Sequence, residues 1–177
     1  MRVKYVSHVE RESHGWQFHD AELKVGFEFS FTDAHHQEHT VRIEGYADRL
    51  DINTTLRQAA VLDYKHQSPD KIKKRADQLM DDPQLLLYTK AITEEQKATD
   101  HPVNEADWVA LKMNLKKKDS SERSFKLDHL SDQVLVLEKQ LQQDLSAVWS
   151  GSAMQAFAPE SACRYCEARG ICRKGMW

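Results

Sequence analysis

"GYADRLDINTTLRQAAVLDYK", Gly45 to Lys65, decides how this chain folds. Gln58-Ala59-Ala60-Val61-Leu62 reads as the start of a buried strand, and it runs without a break into Asp63-Tyr64-Lys65. Residues two apart on a strand share a face, so Asp63 and Lys65 project together while Tyr64 points the other way. Charges at the end of a core strand are costly unless they hold something charged: each other, a metal or a phosphate. Just upstream, Val41 to Ile52 forms a strand interrupted by Gly45, and Asn53 to Arg57 connects it to the strand at Ala59–Lys65. If the two pair, Asp48 brings a second carboxylate to the same spot. Two carboxylates with main-chain or water oxygens suit Mg²⁺ or Mn²⁺. A lysine beside them can stabilise charge developing on a phosphate or help position an attacking water.

Working outward, Leu23, Val25, Phe27, Phe29 and Phe31 alternate with Lys24, Gly26, Glu28 and Ser30, which predicts a strand. The polar run 33–38 is of hairpin length. Trp108 to Leu115 predicts a fourth strand, with Val109, Leu111, Met113 and Leu115 on one face. Asp82-Pro83 reads as an N-cap with proline at the first helical position, opening the helix "PQLLLYTKAITEEQK". Leu130, Val134, Leu137, Leu141, Leu145 and Val148 step by three and four and predict a second helix. From Gly151 onward the chain reads as a loop-rich appendix. Three sequential strands, a helix, a strand and a helix make an α/β sheet with helical cover. The expected organisation is a core over 1–150 and a cysteine-rich segment over 151–177.

Length and composition fit one compact domain: 177 residues, 40% hydrophobic and 30% charged. The net charge of −3 gives no bulk signal for nucleic acid, so any anion-binding surface must be local. No apolar run reaches the ~18 residues a membrane span needs. The N-terminus lacks the apolar stretch of a secretion signal. The three cysteines all fall within the last 15 residues, which is no disulfide framework. These features predict a cytoplasmic protein.

Gly45-Tyr46-Ala47-Asp48-Arg49-Leu50-Asp51, then Val61-Leu62-Asp63-Tyr64-Lys65, then Gln84-Leu85-Leu86-Leu87-Tyr88 resemble the GxxDRxD, hydrophobic-DYK and QLxxY motifs of RecB-like nucleases in the PD-(D/E)XK superfamily. Cys163, Cys166 and Cys172, spaced C-x2-C-x5-C, add to the resemblance. It extends from about Glu22 to Cys172, and the two aspartates stand fifteen positions apart, as in that family. The resemblance implies a restriction-endonuclease-like fold, a mixed central sheet flanked by helices with a C-terminal cysteine-rich appendix. It implies a Mg²⁺- or Mn²⁺-dependent deoxyribonuclease of exonuclease type, acting in DNA repair or recombination on single-stranded DNA or a duplex end, with a helicase as a further partner. Asp48 and Asp63 resemble the metal-binding carboxylates, the Tyr64 carbonyl a further ligand, Lys65 the catalytic lysine, and Gln84 and Tyr88 residues facing the active site or the DNA strand. Arg49 is placed either on a phosphate or on Asp48. In such relatives three C-terminal cysteines join a fourth to hold a [4Fe–4S] cluster.

Two departures from the pattern stand out. The family carries an acidic or histidine residue on a helix before the first strand, and here only the final turns of that helix precede it. His8, Glu10, Glu12 and Glu22 are the available substitutes. The fourth cysteine is also absent, so these 177 residues are expected to be the C-terminal piece of a longer protein. Competing readings stay open at this stage. "DKIKKR", with Lys71, Lys73, Lys74 and Arg75, and "KKK" at 116–118 are either solvated faces or phosphate contacts. His35, His36 and His39 read as a solvated loop, and Asp51 as a structural residue. The cysteines alone would suit a zinc knuckle lacking a ligand, or a purely structural staple. A chain without its upstream acid could be a module that binds DNA or a helicase without cutting.

Overall fold

A computed structural model describes residues 11–77, 79–95, 99–111, 124–153, 163, 166–170 and 172. Strands β1 (Gln17–Thr32) and β2 (Glu38–Asn53) form a long antiparallel ribbon, and β3 (Gln58–Lys65) pairs antiparallel with β2. β4 (Val103–Ala110) lies parallel to β3, and the short β5 (Ser124–Lys126) ends the sheet antiparallel to β4. A parallel neighbour requires a crossover. Helices α1 (Pro69–Ala76) and α2 (Gln84–Glu95) supply it, and α3 (Leu130–Trp149) follows β5. The result is a mixed five-stranded sheet with helical cover, the architecture expected from the sequence.

One face of the sheet carries the main core. Val25, Phe27, Phe29 and Phe31 of β1 meet Leu85, Leu86, Tyr88, Ala91 and Ile92 of α2, with Ile72 from α1 and Leu130 and Leu137 from α3. Helix α2 is buried on most of its circumference, which is why "QLLLYTKAI" carries so few charges. Its Lys90 Nζ pairs with Glu94 at 2.5 Å and with Glu138 of α3 at 2.7 Å, and lies 5.0 Å from the Phe27 ring centroid. At the far end of the ribbon Asp33 Oδ1 accepts the N–H groups of His35 and Gln37, and Oδ2 meets His39 Nε2 at 2.9 Å. These bonds, the His39 partner first, draw the Asp33 pKa down to about 2.

Several expectations need correction. "DKIKKR" is not merely a charged run: with Ser68 as N-cap and Pro69 in the first turn it forms α1, whose Ile72 is fully buried. The fourth strand lies earlier than Trp108–Leu115, and it is Ala106, Trp108 and Ala110, not Val109, that face the helices. Met113, Leu115 and Lys116 to Lys118 fall outside the described residues. β1 begins six positions before Leu23. His39 is no solvated loop residue, because it stacks on Phe31 at 5.4 Å. Val148 leaves the stripe of α3 and is exposed, while Trp149 packs edge-on against Phe31.

The second face carries a small apolar cluster, Trp16, Ala60, Leu62 and Val109, beside a buried ion network. Residues 11–13 close a helical turn, and Arg11 reaches across three strands. Its Nε bonds Asp51 Oδ2 at 2.6 Å, and its Nη1 bonds Glu105 at 2.7 Å and Asp107 at 3.2 Å. Asp107 keeps one buried oxygen without a hydrogen bond. Burial, and then the Glu105 charge, push its pKa up to about 6. Glu105 is penalised by burial too, but bonds from Lys126 and Arg11 outweigh this and hold it below the usual carboxylate range. A carboxyl whose folded pKa is raised contributes stability while protonated, and that contribution is lost as pH rises from the unfolded value of 3.8 to about 6. At about 1.4 kcal/mol per unit the loss is on the order of 3 kcal/mol. Asp107→Asn is therefore expected to gain about that much stability relative to the parent between pH 4 and pH 7. Parallel urea unfolding at the two pH values checks it, and a difference independent of pH would remove Asp107 as the titrating group.

Candidate active site

Asp63 and Lys65 stand at the C-terminal end of β3 on the face that meets α2, because Ala59 and Val61, two and four residues earlier, are in the main core. Asp63 is 2% exposed. Burial raises its pKa, with the Asp48 charge adding to the shift, while the Lys65 ammonium and Arg75 oppose it. Lys65 Nζ lies 2.7 Å from Asp63 Oδ2, yet that oxygen makes no well-directed hydrogen bond. The ion pair is close but off line, and the oxygen retains a lone pair for another ligand.

β2 brings Asp48 to this point through a change of face. Val41, Ile43 and Ala47 turn toward the helices, but so do Leu50 and Ile52, so the inward set switches from odd to even positions at Asp48-Arg49. Opposite this switch on β1, Glu22 takes φ 52°, a left-handed conformation uncommon away from glycine, and the pairing passes from Ala21↔Arg49 to Leu23↔Ala47. The β2–β3 ladder extends only to Arg49↔Leu62. Beyond it the Asp48 carboxylate takes over as acceptor: Oδ2 receives the Tyr64 N–H at 2.7 Å. Asp48 is thereby fixed beside Asp63, its other oxygen left to the pocket it shares with Phe18, Ala21, Glu22, Arg49 and Tyr64, about 270 Å³ in volume.

A chain of contacts holds the lysine. Lys65 Nζ donates to Gln84 Oε1 at 2.5 Å, and Gln84 Nε2 donates to the Tyr88 hydroxyl at 2.7 Å. Gln84 and Tyr88 are one turn apart on α2 and so share a face. Gly45 fixes where Tyr88 can lie: a Cβ there would come 2.7 Å from Tyr88 Cε1, closer than packed carbon atoms approach. The three segments that look alike in sequence to nuclease motifs thus meet around one ammonium group.

Arg49 lines the Asp48 pocket and is anchored from the side of Asp51. Its guanidinium bonds both oxygens of Asp51, at 2.6 and 3.1 Å, and the Tyr64 hydroxyl at 3.3 Å, with the Phe18 ring 5.7 Å away. Asp51 is fully buried between Arg49 and Arg11 and is structural, as its position suggested. On α1, Lys71, Lys74 and Arg75 line one cavity with Gln67, while Lys73 is exposed and is not among its lining residues. Of the candidates for the upstream acid, Glu12 is exposed, Glu22 lines the Asp48 pocket, and His8 and Glu10 lie outside the described residues.

Of the three cysteines, Cys163 is partly buried and Cys166 and Cys172 are exposed. Among the described residues no three His, Cys, Asp or Glu side chains converge as a metal-holding group. The cysteines alone thus do not fit an iron–sulfur cluster, which takes four protein ligands. The acidic site offers two carboxylates, so a divalent ion there would complete its shell with main-chain and water oxygens. No described helix is long and apolar enough to cross a membrane. Sequence reasoning missed Arg11, and it marked Gly45 as a motif residue without its contact to Tyr88; the partners lie 40 or more residues away and leave no local pattern.

The family model described as the PD-(D/E)XK nuclease superfamily matches residues 1–173. No curated protein matches the sequence with significance. If the Gly45–Tyr88 contact seats the lysine, Gly45→Ala should cost about 1–3 kcal/mol, the range for overpacking. Its cost should shrink when Tyr88 is also alanine, since touching residues are non-additive. A double-mutant cycle by chemical denaturation checks this; strictly additive costs would remove the contact.

Proposed function

The chain belongs to the PD-(D/E)XK nuclease superfamily, and on that premise we propose that it is a divalent-metal-dependent deoxyribonuclease of exonuclease type. The observation that carries the reading is the meeting of Asp48, Asp63 and Lys65 at the end of β3, with the Asp63 carboxylate buried beside the Lys65 ammonium. Asp48, Asp63 and the Tyr64 carbonyl would hold Mg²⁺ or Mn²⁺. That ion, when bound, supplies Lewis-acid polarisation of a phosphate and activation of water.

The protein's own groups do the rest. An ammonium has three N–H donors; among the described residues Gln84 and Asp63 occupy two directions on Lys65, and the third can donate to a phosphate oxygen of the strand. Charge developing on that oxygen in the transition state then meets a donor already in place, which costs no reorganisation. Gln84 and Tyr88 act through the lysine, keeping Nζ on the side of Asp63. Asp48 serves twice, aligning the Tyr64 peptide and presenting its second oxygen. The cations of α1 give the incoming strand a local positive surface on a chain of net charge −3. DNA repair or recombination beside a helicase in the cytoplasm is the setting we propose. No step is assigned to an iron–sulfur cluster.

A second reading, a nuclease-like module that binds DNA or a helicase without cutting, is favoured by one observation: no third acidic or histidine side chain joins Asp48 and Asp63 among the described residues. Cleavage of a labelled single strand with Mn²⁺ separates the two. Asp63→Ala is expected to lower the rate at least about 100-fold, beyond the 10–100-fold typical of outer-shell losses. Lys65→Ala should lower the rate while Mn²⁺ affinity is retained. Because burial raises the Asp63 pKa and a metal binds the ionised form, Mn²⁺ affinity should rise with pH across that titration and flatten in Asp63→Ala. Equal cleavage by parent and Asp63→Ala would overturn the assignment, and binding without cleavage in both would establish the module.

A further inference from the structure

Two cavities meet at the turn between α1 and α2, and their charges are opposed. The first, about 340 Å³, is lined by Lys71, Lys74 and Arg75 with Gln67, Asp81 and Asp82. It adjoins the proposed catalytic groups from both sides: Gln67 is two residues beyond Lys65, Asp82 is two before Gln84, and the Arg75 charge reaches Asp63. The second, about 560 Å³, has Asp77, Asp81 and Asp128 in its walls. The cation lining it, Lys126, is paired with Glu105 at 2.9 Å. Asp81 belongs to both cavities and forms part of the wall between them.

A DNA strand entering the first cavity finds three cations against two carboxylates, Asp81 and Asp82; one that continued past it would meet Asp77, Asp81 and Asp128 with no cation but the paired Lys126 in the lining. Like charges brought together at short range repel strongly unless screened. The first volume is near the lower limit for small-ligand sites, about 300–1,000 Å³, enough for one terminal group. A phosphate monoester carries about −1.5 to −2 charges near neutral pH, where a diester carries one, and three clustered cations reward the difference. We propose that the Lys71–Lys74–Arg75 cavity is a seat for the terminal phosphate monoester of a DNA strand, and that the carboxylates of the adjoining cavity, Asp77, Asp81 and Asp128, stop the strand there. The inference rests on the nuclease reading and adds to it a chain end as the feature recognised. Arg75 is paired with Asp82, so the incoming phosphate displaces a carboxylate and takes its place on the guanidinium.

The test is fluorescence anisotropy in EDTA, where no metal-dependent cleavage intervenes. The probes are a short single strand with a 5′-phosphate, the same strand with a 3′-phosphate, the strand with hydroxyls at both ends, and a single-stranded circle. One phosphorylated strand is expected to bind about tenfold more tightly than the hydroxyl-ended one, the value of one good charge-assisted contact. In Lys71→Ala/Lys74→Ala, a change at two exposed positions, that ratio should fall to about one. Asp81→Asn should raise the affinity for the circle by lowering the wall. Equal binding of all three linear strands, or a preference that survives the double lysine change, would overturn the seat. The nuclease reading fails separately: a chain that prefers the phosphorylated end but never cuts with Mn²⁺ keeps the seat and loses the enzyme. A chain that cuts circles as fast as linear strands keeps the enzyme and loses the seat.

Discussion

The position of the Lys65 ammonium is the constraint on which the rest of the site depends. A lysine on four rotatable bonds has about 2 kcal/mol of rotamer freedom to lose, and here two directions of hold restrict it, Asp63 at 2.7 Å and Gln84 at 2.5 Å. Gln84 is in turn held by Tyr88, and Tyr88 by the absence of a side chain at Gly45. The four residues come from three elements: Asp63 from β3, Gln84 and Tyr88 from α2, and Gly45 from β2. The hold on the lysine is thus completed only when α2 docks on the sheet.

The sheet solves a second problem, that of bringing Asp48 to Asp63 when the strands carrying them are fully paired only up to Arg49 and Leu62. β2 reverses its inward face at Asp48-Arg49 and continues the ladder with a side-chain carboxylate in place of a main-chain carbonyl. The reversal also directs Arg49 and Asp51 to the opposite face, where Arg11 and Arg49 neutralise Asp51 and Arg11 spans on to Glu105 and Asp107. Buried ion networks of this kind add little net stability over apolar packing but are expensive to break. Here the network ties β2, the strand that carries Asp48, to β4 through Arg11.

Much of this was legible in the residues. Period-two alternation located β1, Asp82-Pro83 located the start of α2, and the charges closing an otherwise apolar β3 marked the site, because such charges demand a partner. β4 was misplaced for a physical reason: Trp108 and Val109 are both fully buried, one on each face, so alternation no longer distinguishes inside from outside. Helix α1 was overlooked although Ser68-Pro69-Asp70 is a proper N-terminal signal, since a single buried residue, Ile72, gives no stripe. Arg11, Gly45 and the wall at Asp81 act only through contacts made in the folded chain. A local reading of the sequence holds nothing that distinguishes Arg11 and Asp81 from ordinary surface residues, and it marks Gly45 without showing what Gly45 touches.

The most direct measurement is a crystal of the protein grown with Mn²⁺, with anomalous diffraction collected near the manganese edge. The expected result is a peak within coordination distance of Asp48, Asp63 and the Tyr64 carbonyl, with Lys65 still bonded to Gln84. A fully occupied peak elsewhere, or none between the two carboxylates at saturating Mn²⁺, would contradict the assignment of this site to metal-dependent cleavage.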